Sequence, residues 1–248
     1  MQNFKNKTIW IIGASTGIGA ALAKNLASKN SNLILSSRNH KTLKELTKSL
    51  KGNHHIIDFD VANAKSCQTA TIKAFKLYKN IDSIIFLAGI YEPKSISDID
   101  LELTNKIIQT NLIGAINLTH FILPLLKKQK TAQLAFCASV AGYRGLPNAQ
   151  IYGASKAALI NFCESLYIEN NDIDIKLINP GFVKTRLTAK NNFKMPMLIS
   201  SELAAEKIAK ALLKKQFEIT FPKNFTYICK FLRLLPYNIY FKIIKKLQ

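Results

Sequence analysis

Short β-branched or apolar runs alternate with helix-length segments along the whole chain, and this rhythm limits the available folds more than any other feature. The runs are TIWII (8–12), NLILS (32–36), HIID (55–58), SIIFLA (83–88), QLAFCAS (133–139), IDIKLI (173–178) and EITF (218–221). Helical patterns fall near 18–28, 40–51, 63–78, 102–128, 150–170 and 201–216. A strand, a helix and a second strand repeated in this way connect by right-handed crossovers, so the strands lie parallel and helices cover both faces. The expectation is an α/β fold, a doubly wound parallel sheet of about seven strands. No repeat or low-complexity linker divides it, so 1–222 reads as one body and 223–248 as an appendix to it.

Composition removes several alternatives. The cysteines Cys67, Cys137, Cys163 and Cys229 lie far apart, and His40, His54, His55 and His120 lack ligand spacing. Neither a disulfide framework nor a metal site is expected, and a reducing, cytoplasmic setting fits. The apolar stretch after Lys5 and Lys7 is too short for a signal peptide, and no uncharged run is long enough to span a membrane. The net charge of +20 is spread along the chain rather than gathered in a nucleic-acid-binding motif, so no nucleic-acid partner is expected.

The first run leads into IIGASTGIG, which fits two machines. Gly13-Ala14-Ser15-Thr16-Gly17 has the GxSxG form of a hydrolase elbow, whereas Gly13, Gly17 and Gly19 suit a loop that holds a dinucleotide. The elbow needs an acid and then a histidine downstream, but the last histidine is His120. The second run ends in Ser36-Ser37-Arg38, where an NAD-binding chain usually places an acid for the ribose 2′-hydroxyl. An arginine there suits a 2′-phosphate, which favours NADP(H) over NAD(H).

Further along, Tyr152 and Lys156 in YGASK stand four apart on one helix face. With GASTGIG, Asn111, Ser139 and Pro180-Gly181 in this order, the chain resembles the short-chain dehydrogenase/reductase family over roughly residues 5–222. The resemblance implies a Rossmann-like fold, a homo-oligomer (dimer or tetramer) and a catalytic set of Asn111, Ser139, Tyr152 and Lys156. Tyr152 would donate a proton to a carbonyl oxygen as hydride arrives from NADPH, Ser139 would hydrogen-bond that oxygen, and Lys156 would hold the nicotinamide ribose. Asn111 would hold a water that relays protons to the lysine. Lowering a tyrosine pKa of about 10 by about 3 units takes roughly 4 kcal/mol. An ammonium about 4 Å away at an effective dielectric of about 20 supplies about that much, so Lys156, helped by an oxidised nicotinamide, is expected to lower Tyr152.

The same resemblance assigns cofactor contacts to Gly13, Ser15, Thr16, Gly17, Ile18 and Gly19, then Arg38, Asp60, Val61, Ala88 and Gly89. Tyr152, Lys156, Pro180, Gly181, Val183 and Thr185 complete the set. Two departures stand out: Phe86-Leu87-Ala88-Gly89 replaces the common Asn-Asn-Ala-Gly, and Ile12 stands where a threonine often precedes the first glycine.

The substrate wall is expected from Tyr143–Pro147 and from the loop Phe182–Ile199, rich in Leu146, Phe182, Phe193, Met195, Met197 and Leu198. An apolar wall suits a hydrophobic ketone or aldehyde, unless these residues only pack the loop onto its own core. In the appendix, Phe225, Ile228, Phe231, Leu232 and Leu235, then Tyr237, Tyr240, Phe241, Ile244 and Leu247, recur at helical spacing around Pro236. Its charged residues are all basic, which suits two amphipathic helices on an anionic membrane, at the inner face; capping the domain or contacting a subunit is the alternative. The expected activity is NADPH-dependent carbonyl reduction in lipid metabolism, with a non-catalytic NADP-binding scaffold as the competing reading.

Overall fold

Strand residues that are apolar at successive positions need cover on both sides, and this requirement builds the molecule. In the computed structural model, which describes residues 1–246, the strands are β1 (Thr8–Ile12), β2 (Asn32–Ser36), β3 (His55–Ile56), β4 (Ser83–Phe86), β5 (Gln133–Cys137), β6 (Asp174–Pro180) and β7 (Glu218–Phe221). They form one seven-stranded sheet in the order β3-β2-β1-β4-β5-β6-β7, with every neighbouring pair parallel.

Alternate residues of each strand serve different cores. Trp10, Ile12, Ile84, Phe86, Leu134 and Phe136 pack against α3 (Ala64–Leu77), α5 (Gly114–Leu126) and α6 (Gln150–Glu169). Ile9, Ile11, Leu33, Leu35 and Ile85 pack against α1 (Gly17–Ala27), α2 (His40–Lys48) and α7 (Ser201–Leu212) on the other face. Each such side chain, fully buried, contributes roughly 1.5–3 kcal/mol. Ile12 and Phe86, the apolar departures noted in the sequence, belong to the first core, and Phe86 lies 6.1 Å from Phe136 between ring centroids. Packing therefore holds the end of the sheet where the common pattern has polar side chains.

The element boundaries shift for identifiable reasons. The strand expected over 55–58 keeps only its first two residues, because β3 is the sheet edge and pairs with β2 alone. The runs 83–88 and 133–139 leave the sheet at Phe86 and Cys137, while the sixth strand extends to Pro180 by pairing with Phe221. The helix expected over 201–216 stops at Leu212 because Lys176, fully buried on β6, takes the carbonyls of Lys214 (2.7 Å) and Gln216 (2.8 Å) beside its ion pair with Asp174. A buried ammonium must be paired and hydrogen-bonded, and the chain after α7 supplies that.

The largest departure is the segment 102–128, read as a single helix. It divides into α4 (Leu101–Ile108), one π-helical turn (Gln109–Ile113) and α5. The appendix forms two helices, α8 (Lys223–Leu234) and α9 (Tyr237–Lys246), broken at Pro236 as expected, with Leu247 outside the described residues. Among the described residues no helix is long and apolar enough to cross a membrane.

Candidate active site

The strand order reverses between β1 and β4, and open α/β sheets place their ligands at such a point beyond the carboxyl ends of the strands. A cleft of about 1280 Å³ lies there. It is lined by every cofactor residue expected from the sequence, from Gly13, Ser15, Thr16, Gly17, Ile18 and Gly19 through Arg38, Asp60, Val61, Ala88 and Gly89 to Pro180, Gly181, Val183 and Thr185. Ser139, Tyr152 and Lys156 line it as well.

The loop after β1 is built for close approach. Gly13 has φ +90°, and a Cβ there would lie 2.6 Å from the Ala88 nitrogen and 2.8 Å from the Leu87 carbonyl carbon. Thr16 is the N-cap of α1 yet makes no side-chain cap, and the first turn carries no acid. The leading N–H groups of α1 thus face the cleft uncapped, which favours an anion. Arg186 donates from Nη2 to Thr16 Oγ1 at 3.1 Å and adds positive charge to that rim. Arg38 is exposed at the cleft edge, and Asp60 shapes its own turn by accepting from the Ala62 N–H at 3.0 Å.

Tyr152 and Lys156 sit one turn apart on α6 and point into the cleft beside Ser139, two residues beyond β5. Burial raises the Tyr152 phenol above its ordinary pKa; the nearby Cys137 and Tyr91 add to this, and a hydrogen bond with Ser139 opposes it. The expected lowering invoked Lys156 together with an oxidised nicotinamide, and burial acts against it. The ammonium lies 5.7 Å from the Tyr152 ring centroid and donates instead to the Cys137 carbonyl at 2.7 Å. Lys156 is itself buried, and burial lowers its pKa. Burial thus opposes the charged form of both groups.

Asn111 does not line the cleft; it stands behind it, fully buried in the π-helical turn. Its Oδ1 accepts from the Ile90 N–H (2.8 Å), while Nδ2 donates to the Ile90 carbonyl (3.0 Å) and to Ser155 Oγ (3.1 Å). Ser155 in turn donates to the Tyr152 carbonyl at 2.7 Å. Both amide hydrogens are taken, so a water held by this side chain would have to bind at Oδ1. A Cβ on Gly89 would lie 3.3 Å from Asn111 Oδ1 and 3.5 Å from Lys156 Nζ, so the bare glycine keeps the space between them open. Asn111→Ala strands the Ile90 amide groups. We expect a loss of about 2 kcal/mol. The corresponding fall in Tm, roughly 4–8 °C, is measurable by calorimetry, and an unchanged Tm would contradict the role.

The substrate wall is only partly the expected one. Leu146, Pro147, Phe182, Phe193 and Met197 line the cleft, whereas Tyr143, Arg144, Gly145, Met195 and Leu198 do not. Met195 is turned to Asn191, which donates to its sulfur at 3.3 Å. The Phe182–Ile199 loop is pinched at its base by the Val183–Ile199 bridge, which sets which side chains reach inward.

Two contributions escaped the sequence reading. Tyr91 packs on Tyr152, with centroids 4.8 Å apart, and donates to Asn191 at 2.7 Å; Glu92 and Lys190 pair across the same gap. The appendix also forms part of the cleft, through Phe225, Ile228, Cys229, Leu232 and Ile244. Arg144 holds it there by donating to the carbonyls of Leu232 (2.9 Å), Arg233 (3.1 Å) and Leu235 (2.6 Å), with its guanidinium 4.1 Å from the Tyr240 ring centroid. Glu218 accepts from Tyr143, Asn179 and Lys230, joining the segment after β5, the sheet and α8.

Comparison with known proteins agrees with this arrangement. The family model described as short chain dehydrogenase matches residues 7–196. A Myxococcus xanthus protein named as an uncharacterized oxidoreductase is 28% identical over the full length of both chains. An Arabidopsis thaliana protein named 11-beta-hydroxysteroid dehydrogenase-like 3 is 34% identical over 75% of this chain and 62% of its own length. Among solved structures, a short-chain dehydrogenase/reductase from Burkholderia phymatum in complex with NAD superposes with a TM-score of 0.84 at 21% identity, covering 93% of this chain and 94% of the other. An alcohol dehydrogenase from Thermococcus sibiricus complexed with 5-hydroxy-NADP gives a TM-score of 0.79 at 25% identity, covering 88% and 96%. With its matching family model, its seven-stranded parallel sheet and its glycine-loop cleft, the chain belongs to the short-chain dehydrogenase/reductase family of NAD(P)-dependent oxidoreductases.

Proposed function

We propose that the protein is an NADPH-dependent carbonyl reductase that converts an apolar, lipid-like ketone or aldehyde to an alcohol. The observation that carries this reading is the meeting of Ser139, Tyr152 and Lys156 with the glycine loop and Arg38 in one cleft whose outer wall is apolar. The uncapped start of α1 fits a pyrophosphate, and the exposed Arg38 fits a 2′-phosphate. When bound, NADPH supplies the hydride that adds to the carbonyl carbon.

The chain's own residues then have distinct tasks. Ser139 hydrogen-bonds the substrate oxygen, and Tyr152 gives it a proton. Lys156, pinned by the Cys137 carbonyl, is placed for the ribose hydroxyls. Asn111 fixes the Ile90 loop and, through Ser155, the turn that carries Tyr152. Pro180, Gly181, Val183 and Thr185 border the nicotinamide side.

Reduction needs the Tyr152 phenol in its protonated form, and burial keeps it there. A phenol held above its ordinary pKa of about 10 stays protonated across the neutral range and is ready to donate, whereas alcohol oxidation needs the phenolate. With saturating NADPH, the tyrosine's contribution to kcat for reduction is expected to stay flat between roughly pH 6 and 9. A pH series of initial rates checks this; a steep fall through neutrality would contradict it.

Residues 1–222 form the cofactor and catalytic body, the described part of the appendix, 223–246, roofs the substrate end, and the appendix touches an anionic membrane at its inner face. The assembly is a dimer or tetramer, readable by light scattering. An NADPH-consumption screen over ketones and aldehydes tests the activity. Cofactor choice is tested by titrating NADPH and NADH into wild type and Arg38→Asp. Wild type should prefer NADPH, and the variant should lose about 10-fold or more in NADPH affinity, about 1.4 kcal/mol. A wild type that prefers NADH would overturn the assignment of Arg38.

A further inference from the structure

Three side chains line the cleft and are also about half exposed: Phe193 (46%), Met197 (47%) and Ile228 (50%). Behind them, the Phe182 ring lies between Phe193 (5.8 Å) and Phe225 (5.4 Å), so the Phe182–Ile199 loop and α8 meet across an aromatic row. The cleft thus has an apolar rim that faces outward.

The apolar surface of α8 does not stop at this rim. At about 100° per residue, Phe225, Cys229 and Leu232 share the face toward the cleft, with Ile228 at its edge. Tyr227, Phe231 and Leu234 form a second stripe on the outer side, where Leu234 is 81% exposed. On α9, Tyr237 and Phe241 stack 5.6 Å apart and are likewise exposed.

Charge identifies the occupant of this surface. Every charged residue of the two helices is basic, and among the described residues the one ion pair they make is Lys230 with Glu218. A second copy would set this basic surface against itself. An anionic bilayer satisfies both its charge and its apolar stripe. Arg144 and Glu218 fix α8 on the body, and Ile228 of the rim lies between the two apolar faces of α8, so a bilayer contacting the outer stripe would lie next to the rim.

We propose that the carbonyl substrate passes directly from an anionic bilayer into the cleft through the rim of Phe193, Met197 and Ile228, with the outer face of α8 lying in the lipid. This rests on the carbonyl reductase reading and adds the source and route of the substrate.

The test uses the full chain with vesicles of phosphatidylcholine alone or mixed with phosphatidylglycerol. Two carbonyl probes are compared: a short water-soluble aldehyde and a long-chain aldehyde dissolved in the vesicles. Wild type is compared with Phe231→Glu/Leu234→Glu, two exposed positions outside the cleft lining. Wild type should pellet with the mixed vesicles and not with phosphatidylcholine alone. The double variant should lose that pelleting and at least about 10-fold in kcat/KM on the vesicle-held aldehyde, with turnover of the soluble aldehyde within about 2-fold of wild type. Wild type that fails to pellet, or a variant equally active on the vesicle-held aldehyde, overturns the proposal. Turnover of the soluble aldehyde with none of the vesicle-held aldehyde would sink this route while leaving the reductase reading intact. No turnover of any carbonyl, with pelleting retained, would sink the reductase reading and with it the route.

Discussion

Tyr152→Phe is expected to lower NADPH-dependent carbonyl turnover by about 1,000-fold or more while leaving the NADPH dissociation constant within about 3-fold of wild type. The substitution removes one oxygen from a ring held by packing against Tyr91 and by the α6 backbone, so the cleft keeps its shape. What disappears is the proton donor. Ser139 remains as a hydrogen-bond donor, but its hydroxyl also accepts from the Ala141 N–H at 3.1 Å and is the N-cap of the following turn. It lacks the acidity to replace a phenol. Single-turnover absorbance and fluorescence titration separate the two quantities, and unchanged turnover would refute the role given to Tyr152.

The second large effect is structural. Gly13→Ala places a methyl group 2.6 Å from the Ala88 nitrogen at a backbone with φ +90°. Neither side can yield easily: Ala88 follows β4 at the centre of the sheet, and the Gly13 N–H is bonded to the Ser36 carbonyl at 2.7 Å. Overpacking against backbone and a left-handed alanine together should cost about 4 kcal/mol. Thermal unfolding should show a fall in Tm of roughly 8–16 °C, accompanied by loss of NADPH binding as the loop is pushed off β4. A Tm within about 2 °C of wild type would mean that the loop is not held as described.

The sheet was readable because its strands are apolar at consecutive positions, which only a doubly covered parallel sheet accommodates, and because turn residues separate them from helices. Tyr152 and Lys156 were readable because their relation is local, one helical turn on α6. The features that were missed depend on distant pairings. Nothing near Tyr91 in sequence announces its contact with Tyr152 or with Asn191, a hundred residues away. The π-helical turn at Asn111 is set by hydrogen bonds to Ile90 and Ser155, which arrive from other elements.

Spacing gives the Lys156 charge beside Tyr152 but not its burial or its bond to Cys137. In the appendix, helical periodicity located the apolar stripes and the break at Pro236 but could not tell which stripe is covered. The structure assigns Phe225 and Leu232 to the cleft and leaves Phe231 and Leu234 outside. Capping and membrane contact, opposed as alternatives on sequence alone, are compatible because they use different faces of α8.

The central claim is transfer of a hydride from the nicotinamide to a carbonyl carbon in the cleft beside Tyr152. It is tested most directly by supplying NADPH deuterated at its transferable position, with ketones and aldehydes of graded chain length, and weighing the product by mass spectrometry. The account predicts an alcohol carrying one deuterium on its carbinol carbon, formed faster as the carbon chain lengthens to fill the apolar wall. An alcohol without deuterium, or no oxidation of NADPH with any member of the series, would contradict it.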